Sequence, residues 1–238
     1  MLRPTIKPNR RTSGGSAVAN ATFATQPPTV LLTGFEPFGG SDLNPSWLTA
    51  LSLHGRRIGG HKVVAAQLPT VFGLSLRRLA GLLTQYRPVL VICLGQAEGR
   101  SAVSLERVAI NVNDARIADN AGEQPIDTAV VASGPAAYFS SLPVKAMLQA
   151  LQKAGVAAEV SQTAGTFVCN HVFYGLMHEL ATRRSFKTTR GGFVHLPFLP
   201  EQGTPSMPLE EMVRGLRIAI RCALHTGQDV SLAAGATH

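Results

Sequence analysis

Residues Val89–Gly95 read VLVICLG, six apolar residues in a row closed by a glycine. A strand wetted on one face alternates apolar and polar side chains. An unbroken run this short instead fits a strand covered on both faces, as in a parallel sheet sandwiched between helices. It falls far below the roughly 20 residues that would cross a bilayer. Upstream, Leu74–Gln85 places Leu76, Leu79, Ala80 and Leu83 on one face of a helix, and Lys62–Leu68 is a strand before it. Further back, Asn44-Pro45-Ser46-Trp47 is a helix start, with Asn44 accepting from free N–H groups and Pro45 at the first helical position, where no donor is needed. The strand Thr29–Thr33 and the glycine-rich loop Gly34–Gly40 precede it.

Downstream the alternation continues. Gly95–Pro135 is a long irregular stretch with one expected strand, Arg107–Asn111. Then come a helix at Pro143–Ala154, a strand at Ala157–Gln162, a helix at Asn170–Arg183, a strand at Gly192–His195 and a last helix at Leu209–Thr226. Strands alternating with helices of this length predict an α/β fold, a mostly parallel twisted sheet in a three-layer α/β/α sandwich. Chemistry is then expected at the strand ends. One domain is expected over 29–226, with a tail at 227–238.

Composition narrows the function. The 238 residues are 45% hydrophobic and 15% charged, which supports a buried core and excludes a disordered or coiled-coil chain. The 23 glycines and 15 prolines follow no period, so collagen-like and solenoid architectures fall away. The net charge of +8 resembles a nucleic-acid signal until it is divided. Arg3, Lys7, Arg10 and Arg11 stand in residues 1–28 with no acid, leaving 18 basic against 14 acidic residues in the rest. That mild excess predicts no nucleic-acid partner, and the Pro/Ser/Thr/Ala-rich segment 1–28 is expected to be a disordered basic leader. Its Arg10-Arg11 pair resembles a twin-arginine signal but lacks a compact apolar run behind it. Neither a membrane segment nor a disulfide framework is expected, since Cys93, Cys169 and Cys222 are odd in number and unpaired in spacing. Those thiols point to the cytoplasm.

Chemistry concentrates in Ala164–Leu180, AGTFVCNHVFYGLMHEL. Val172, Phe173, Leu176, Met177 and Leu180 recur at helical spacing, so Cys169 falls in the first turn beside unpaired backbone N–H groups. The positive end of the helix dipole favours a thiolate there, and the same N–H groups can receive an oxyanion. The competing reading is a small buried hydrophobe, the commonest fate of a free cysteine, and it is the reading for Cys93 and Cys222. Among seven histidines, His171 is two residues from Cys169 on the helix and points elsewhere. His195 stands at a strand terminus, where an α/β enzyme places a base, or else is a satisfied core histidine. Glu106, Asp114 and Glu98 are candidates to orient that imidazole, and spacing does not rank them. Cys169-Asn170-His171 lacks the second ligand pair a zinc site would need, so no metal is expected.

The chain as a whole resembles the pyroglutamyl peptidase I family, the bacterial-type pyrrolidone-carboxyl peptidases. The resemblance spans nearly all of 29–226. It rests on LLTGFEPFGG with NPSW, LPTVF, GQAEGR, ERVAINVNDARIADNAGEQPID, GPAAYF with SSLPVKAM, TAGTFVCNHVFYGLMHEL and GGFVHLPFLPEQ, in that order. It implies a cofactor-free cysteine exopeptidase, a homotetramer by family habit, that removes N-terminal pyroglutamate (5-oxoproline) from peptides through a Cys–His–Glu triad. Cys169 of GTFVCNH is then the nucleophile, His195 of FVHLP the base and Glu106 of ERVAIN the orienting acid. Phe35 and Phe38 are expected to flank the lactam ring and Gln96 to bind its polar edge. Phe167 and Val168 would complete the apolar wall, and Arg116 would assist the oxyanion. Glu98 departs from the small residue that relatives show in GQAGGR, and residues 1–28 have no counterpart. Two rivals stand beside this reading: a nucleoside-phosphorylase-like enzyme on a similar sandwich, which would depend on phosphate, and a binding protein that has lost turnover.

Overall fold

The computed structural model describes residues 1–2 and 27–234, so the expected leader lies almost wholly outside the described residues. The first strand, β1 (Thr29–Phe35), leads to helix α1 (Pro45–Leu53), whose first turn is capped as its sequence predicts: Asn44 Oδ1 accepts from Ser46 N–H at 3.1 Å with Pro45 beside it. The chain continues through β2 (Arg57–Ile58), β3 (His61–Leu68), α2 (Leu74–Tyr86) and β4 (Leu90–Gln96). After them come β5 (Val103–Glu106), β6 (Val108–Ile110), β7 (Ala137–Phe139), α3 (Val144–Lys153), β8 (Ala158–Ser161), α4 (Val168–Thr182), β9 (Arg190–Leu196) and α5 (Leu209–His225).

Seven strands form one sheet in the order β2-β3-β1-β4-β9-β5-β8. The β3–β1–β4–β9 centre is parallel, as is the β5–β8 pair, while β2 and β5 run antiparallel to β3 and β9. Period-two alternation divides the core between the two faces. Val30 and Leu32 of β1, with Leu90, Ile92 and Leu94 of β4, pack under α1, α3 and α5. Leu31 of β1, with Val91 and Cys93 of β4, packs under α2 and α4. The result is the expected mostly parallel α/β/α sandwich. β1 is flanked by β3, the next long strand, and by β4, and this reversal of strand order opens a crevice at the carboxyl ends of the central strands. Gly34 lets α1 approach there, because a Cβ would sit 2.5 Å from the Ser46 carbonyl carbon.

The irregular stretch needs correction. The strand expected over Arg107–Asn111 is β6, which pairs with β7 in a separate ribbon, and a further, unexpected strand, β5, lies just before it in the main sheet. All four residues of β5 are buried, including Ser104 and Glu106, whose polar side chains hide the strand from a hydrophobicity pattern. The segment after α5 is tied down: Asp229 accepts from the Lys145 and Ala146 N–H groups at 3.0 and 2.9 Å, capping α3. Among the described residues no helix is long and apolar enough to cross a membrane.

Candidate active site

Helix α4 begins at Val168, so Cys169 is its second residue, with Phe167 at the cap position giving no side-chain hydrogen bond. The first helical bond is donated by His171 N–H to the Phe167 carbonyl at 3.1 Å. The N–H groups of Val168, Cys169 and Asn170 therefore lack intrahelical acceptors. Two side chains fix this helix end. The Asn170 amide accepts from Ile110 N–H at 3.0 Å and donates to the Ile110 and Val112 carbonyls at 2.9 Å each, pinning the helix to the end of β6. His171 donates from Nδ1 to Asn113 Oδ1 at 2.9 Å while its Nε2 accepts from Gly73 N–H at 3.0 Å. Both ring nitrogens are thereby taken, and burial lowers its pKa to about 4. His171 is a neutral tether.

The Cys169 sulfur lies over β4, where a Cβ on Gly95 would meet it at 2.8 Å. Gly95 is the register partner of His195 on β9, so sulfur and imidazole share one place on the sheet. Both side chains line a cavity of about 440 Å³. His195 is 4% exposed, and its Nδ1 lies 2.8 Å from Oε1 of Glu106, which is fully buried. That bond leaves Nε2 as the ring nitrogen free to work in the cavity.

Burial, with the nearby Glu106 charge adding to it and Arg100 opposing, pushes the Cys169 thiol up to about 12. That direction runs against the thiolate expected from the helix terminus. Cys93, fully buried in β4, is likewise pushed up to about 12, chiefly by burial.

The expected ring-binding residues separate into two groups. The rings of Phe38 and Phe167 line the cavity with centroids 6.0 Å apart, and Gln96 and Arg116 line it too. Phe35 and Val168 do not. Phe35 is the last residue of β1 and shares the parity of Leu31, so its ring turns into the core 6.5 Å from Phe193. Val168, also fully buried, packs in the same cluster. Glu98, Asp114 and Arg116 are exposed and stand on the solvent side of the cavity. Among the half-buried inner residues Phe38, Gln96, Phe167 and Cys169 there is no carboxylate.

Two residues at the site escaped sequence reasoning. Arg100 contacts Glu106 Oε1 at 2.6 Å, and Gln202 donates from Nε2 to Gln96 Oε1 at 3.0 Å. Both fall inside motif blocks, GQAEGR and GGFVHLPFLPEQ, but only folding shows what they touch. A larger groove of about 590 Å³ between α3 and α5 is lined by Cys222 and His225. There His225 Nδ1 bonds its own helix's Arg221 carbonyl, and among the described residues no acid orients the ring.

Comparison with known proteins bears directly on this geometry. The pyroglutamyl peptidase family profile matches residues 28–226. The chain belongs to that family. By that membership it is a hydrolase, a peptidase of the cysteine type. Among curated relatives, the pyrrolidone-carboxylate peptidase of Cupriavidus taiwanensis is 60% identical over 216 residues, covering 89% of this chain and 100% of the relative. That of Bacillus cytotoxicus is 52% identical over 215 residues, covering 88% and 99%. Among solved structures, pyroglutamyl peptidase I from Bacillus amyloliquefaciens superposes with a TM-score of 0.84 at 45% identity, covering 87% of this chain and 100% of that one. A mutant pyrrolidone carboxyl peptidase from the hyperthermophile Pyrococcus furiosus gives 0.79 at 40% identity, covering 82% and 98%.

Proposed function

We propose that this protein hydrolyses the amide bond that follows an N-terminal pyroglutamyl residue, with Cys169 as nucleophile, His195 as acid and base, and Glu106 as the orienting carboxylate. The observation that carries the reading is the shared cavity: Cys169 and His195 line it together, and His195 Nδ1 is held 2.8 Å from a buried carboxylate. Family membership supplies the substrate class, as the relatives are pyrrolidone-carboxylate peptidases.

With burial pushing the thiol up, attack and proton transfer belong to one step. His195 Nε2 takes the Sγ proton as the sulfur–carbon bond forms, and the carbonyl oxygen becomes an oxyanion beside the free N–H groups of the α4 first turn. The Glu106 carboxylate stabilises the imidazolium so formed. Collapse of the oxyanion breaks the carbon–nitrogen bond, the departing amine takes the proton from Nε2, and a thioester remains. Water attacks the thioester after giving a proton to Nε2. The acid leaves, and Sγ regains its proton.

The inner wall suits a neutral, flat ring. Phe38 and Phe167 give it apolar faces. Gln202 Oε1 accepts from Leu199 N–H at 2.9 Å, which fixes that amide with Nε2 toward Gln96. Gln96 Oε1 is thereby used as an acceptor, and its Nε2 is left as a donor for the lactam carbonyl. A prolyl substrate lacks that carbonyl and adds an amine charge, so discrimination of about 10⁴-fold is expected, as for sites built around a buried polar partner. The test is release of a fluorophore from a pyroglutamyl conjugate by the protein and by Cys169→Ala. Retained turnover in the variant rules out the nucleophile, and turnover that needs phosphate favours the phosphorylase-like rival.

A further inference from the structure

His195 Nδ1 and Arg100 converge on the same oxygen, Glu106 Oε1, at 2.8 and 2.6 Å. The second oxygen, Oε2, is buried and has no hydrogen-bond partner among the described residues. A carboxylate removed from water with one oxygen unsatisfied takes up a proton unless a cation stands against it. Arg100 supplies that cation, and its own position is built. A second guanidinium nitrogen donates to the Thr163 carbonyl at 3.1 Å, in the segment that leads into α4. The Arg100 side chain is 24% exposed, so part of it reaches solvent while its guanidinium meets the buried acid.

We propose that Arg100 is a positioning residue of the catalytic centre, forked between Glu106 Oε1 and the Thr163 carbonyl so that Glu106 stays ionised and aimed at His195 Nδ1. The inference rests on the triad reading above. The groups that face Glu106 are His195 from β9, Arg100 from the turn before β5 and, across the cavity, Cys169 from α4. On the same face of β8, Glu159 accepts from the Ser104 hydroxyl at 2.6 Å, and Ser161, opposite Glu106 in register, turns its hydroxyl to the Thr163 carbonyl instead. Glu98, Asp114 and Arg116 stand on the solvent side. Arg100 is the cation in contact with the acid. It also opposes the rise that the Glu106 charge imposes on the Cys169 thiol. Without Arg100, Glu106 protonates, the imidazolium loses its counter-charge, and His195 Nδ1 loses its acceptor.

The experiment compares Arg100→Met, Arg100→Lys and the unsubstituted protein. On a pyroglutamyl fluorogenic amide, Arg100→Met is expected to lose about 10- to 100-fold in kcat/KM, the worth of one charge-assisted hydrogen bond. The deficit narrows as pH rises and Glu106 re-ionises, whereas a merely structural lesion leaves it constant. Arg100→Lys restores the charge without the fork and falls between. Millimolar guanidinium chloride restores Arg100→Met, while sodium chloride at equal ionic strength does not. An infrared difference spectrum of Arg100→Met against Arg100→Met/Glu106→Gln at neutral pH reads the carboxyl with no substrate. A protonated-carboxyl band that disappears on adding guanidinium supports the proposal even if pyroglutamyl turnover proves absent. An ionised carboxylate in Arg100→Met, or a pH-independent deficit that guanidinium leaves untouched, overturns it.

Discussion

Gly95→Ala tests whether the sulfur is where the chemistry needs it. The added methyl would stand 2.8 Å from Cys169 Sγ and 2.8 and 2.9 Å from two carbons of the Phe193 ring. Ordinary contacts of this kind lie near 3.5 to 4 Å, so something must give by about 1 Å. Phe193 is fully buried and packs against Phe35, Phe173 and His195. The sulfur faces a cavity and yields more easily, by rotation about the Cα–Cβ bond away from the imidazole. A misplacement of about 1 Å costs about 100-fold in rate. The strain left in the core costs about 1–3 kcal/mol, a fall in Tm of about 2–4 °C per kcal/mol for a chain of this size. The assay is steady-state turnover of a pyroglutamyl fluorogenic amide beside a thermal melt. The expected result is a large fall in kcat with a modest fall in Tm. Full kcat with an unchanged melt would refute the placement of Sγ against β4. An equal collapse of stability and activity would show that Phe193, and not the sulfur, absorbs the methyl.

Three further outcomes follow from the same geometry. Cys169→Ala is expected to abolish fluorophore release while leaving the melt within about 1–2 °C, since the half-buried sulfur gives up few contacts. His171 is held neutral with its pKa lowered from 6.5 to about 4. Its contribution is therefore complete above pH 6.5 and lost as pH falls toward 4, because the unfolded chain binds the proton first. That amounts to about 3 kcal/mol at full extent, and urea titrations should show the slope vanish in His171→Gln. Gln202→Glu keeps an acceptor for Leu199 N–H but removes the donor to Gln96, whose amide then flips and presents its oxygen to the lactam carbonyl. A loss of about 10- to 100-fold in kcat/KM is expected, with little change in the melt; activity equal to the unsubstituted protein would remove Gln96 Nε2 from the site.

Helices α1 and α2 and the central strand β4 were readable from local signals: an Asn-Pro cap, a leucine stripe, an unbroken apolar run. Sequence spacing also put Cys169 in a helix first turn, where the structure has it. Each of these patterns repeats within a few residues, and local backbone geometry dictates it. Three other features could not be read that way. Inserting β5 antiparallel to β9 brings Glu106 to His195 across 89 positions, and no local pattern marks a four-residue strand half made of polar side chains. Strand parity sends Phe35 into the core while Phe38, in the loop beyond, keeps its ring at the cavity.

The electrostatic setting of Cys169 was the third. The chain order of α4 predicts a thiolate from the dipole alone, whereas in the fold burial and the nearby Glu106 carboxylate push the thiol the other way. Composition, periodicity and motif order thus determined the layers and the residues worth watching. Tertiary structure decided which of them meet, and which acid and which cation share an oxygen. Strand pairing and burial are set by the whole chain at once, and a sequence window holds only one side of each contact.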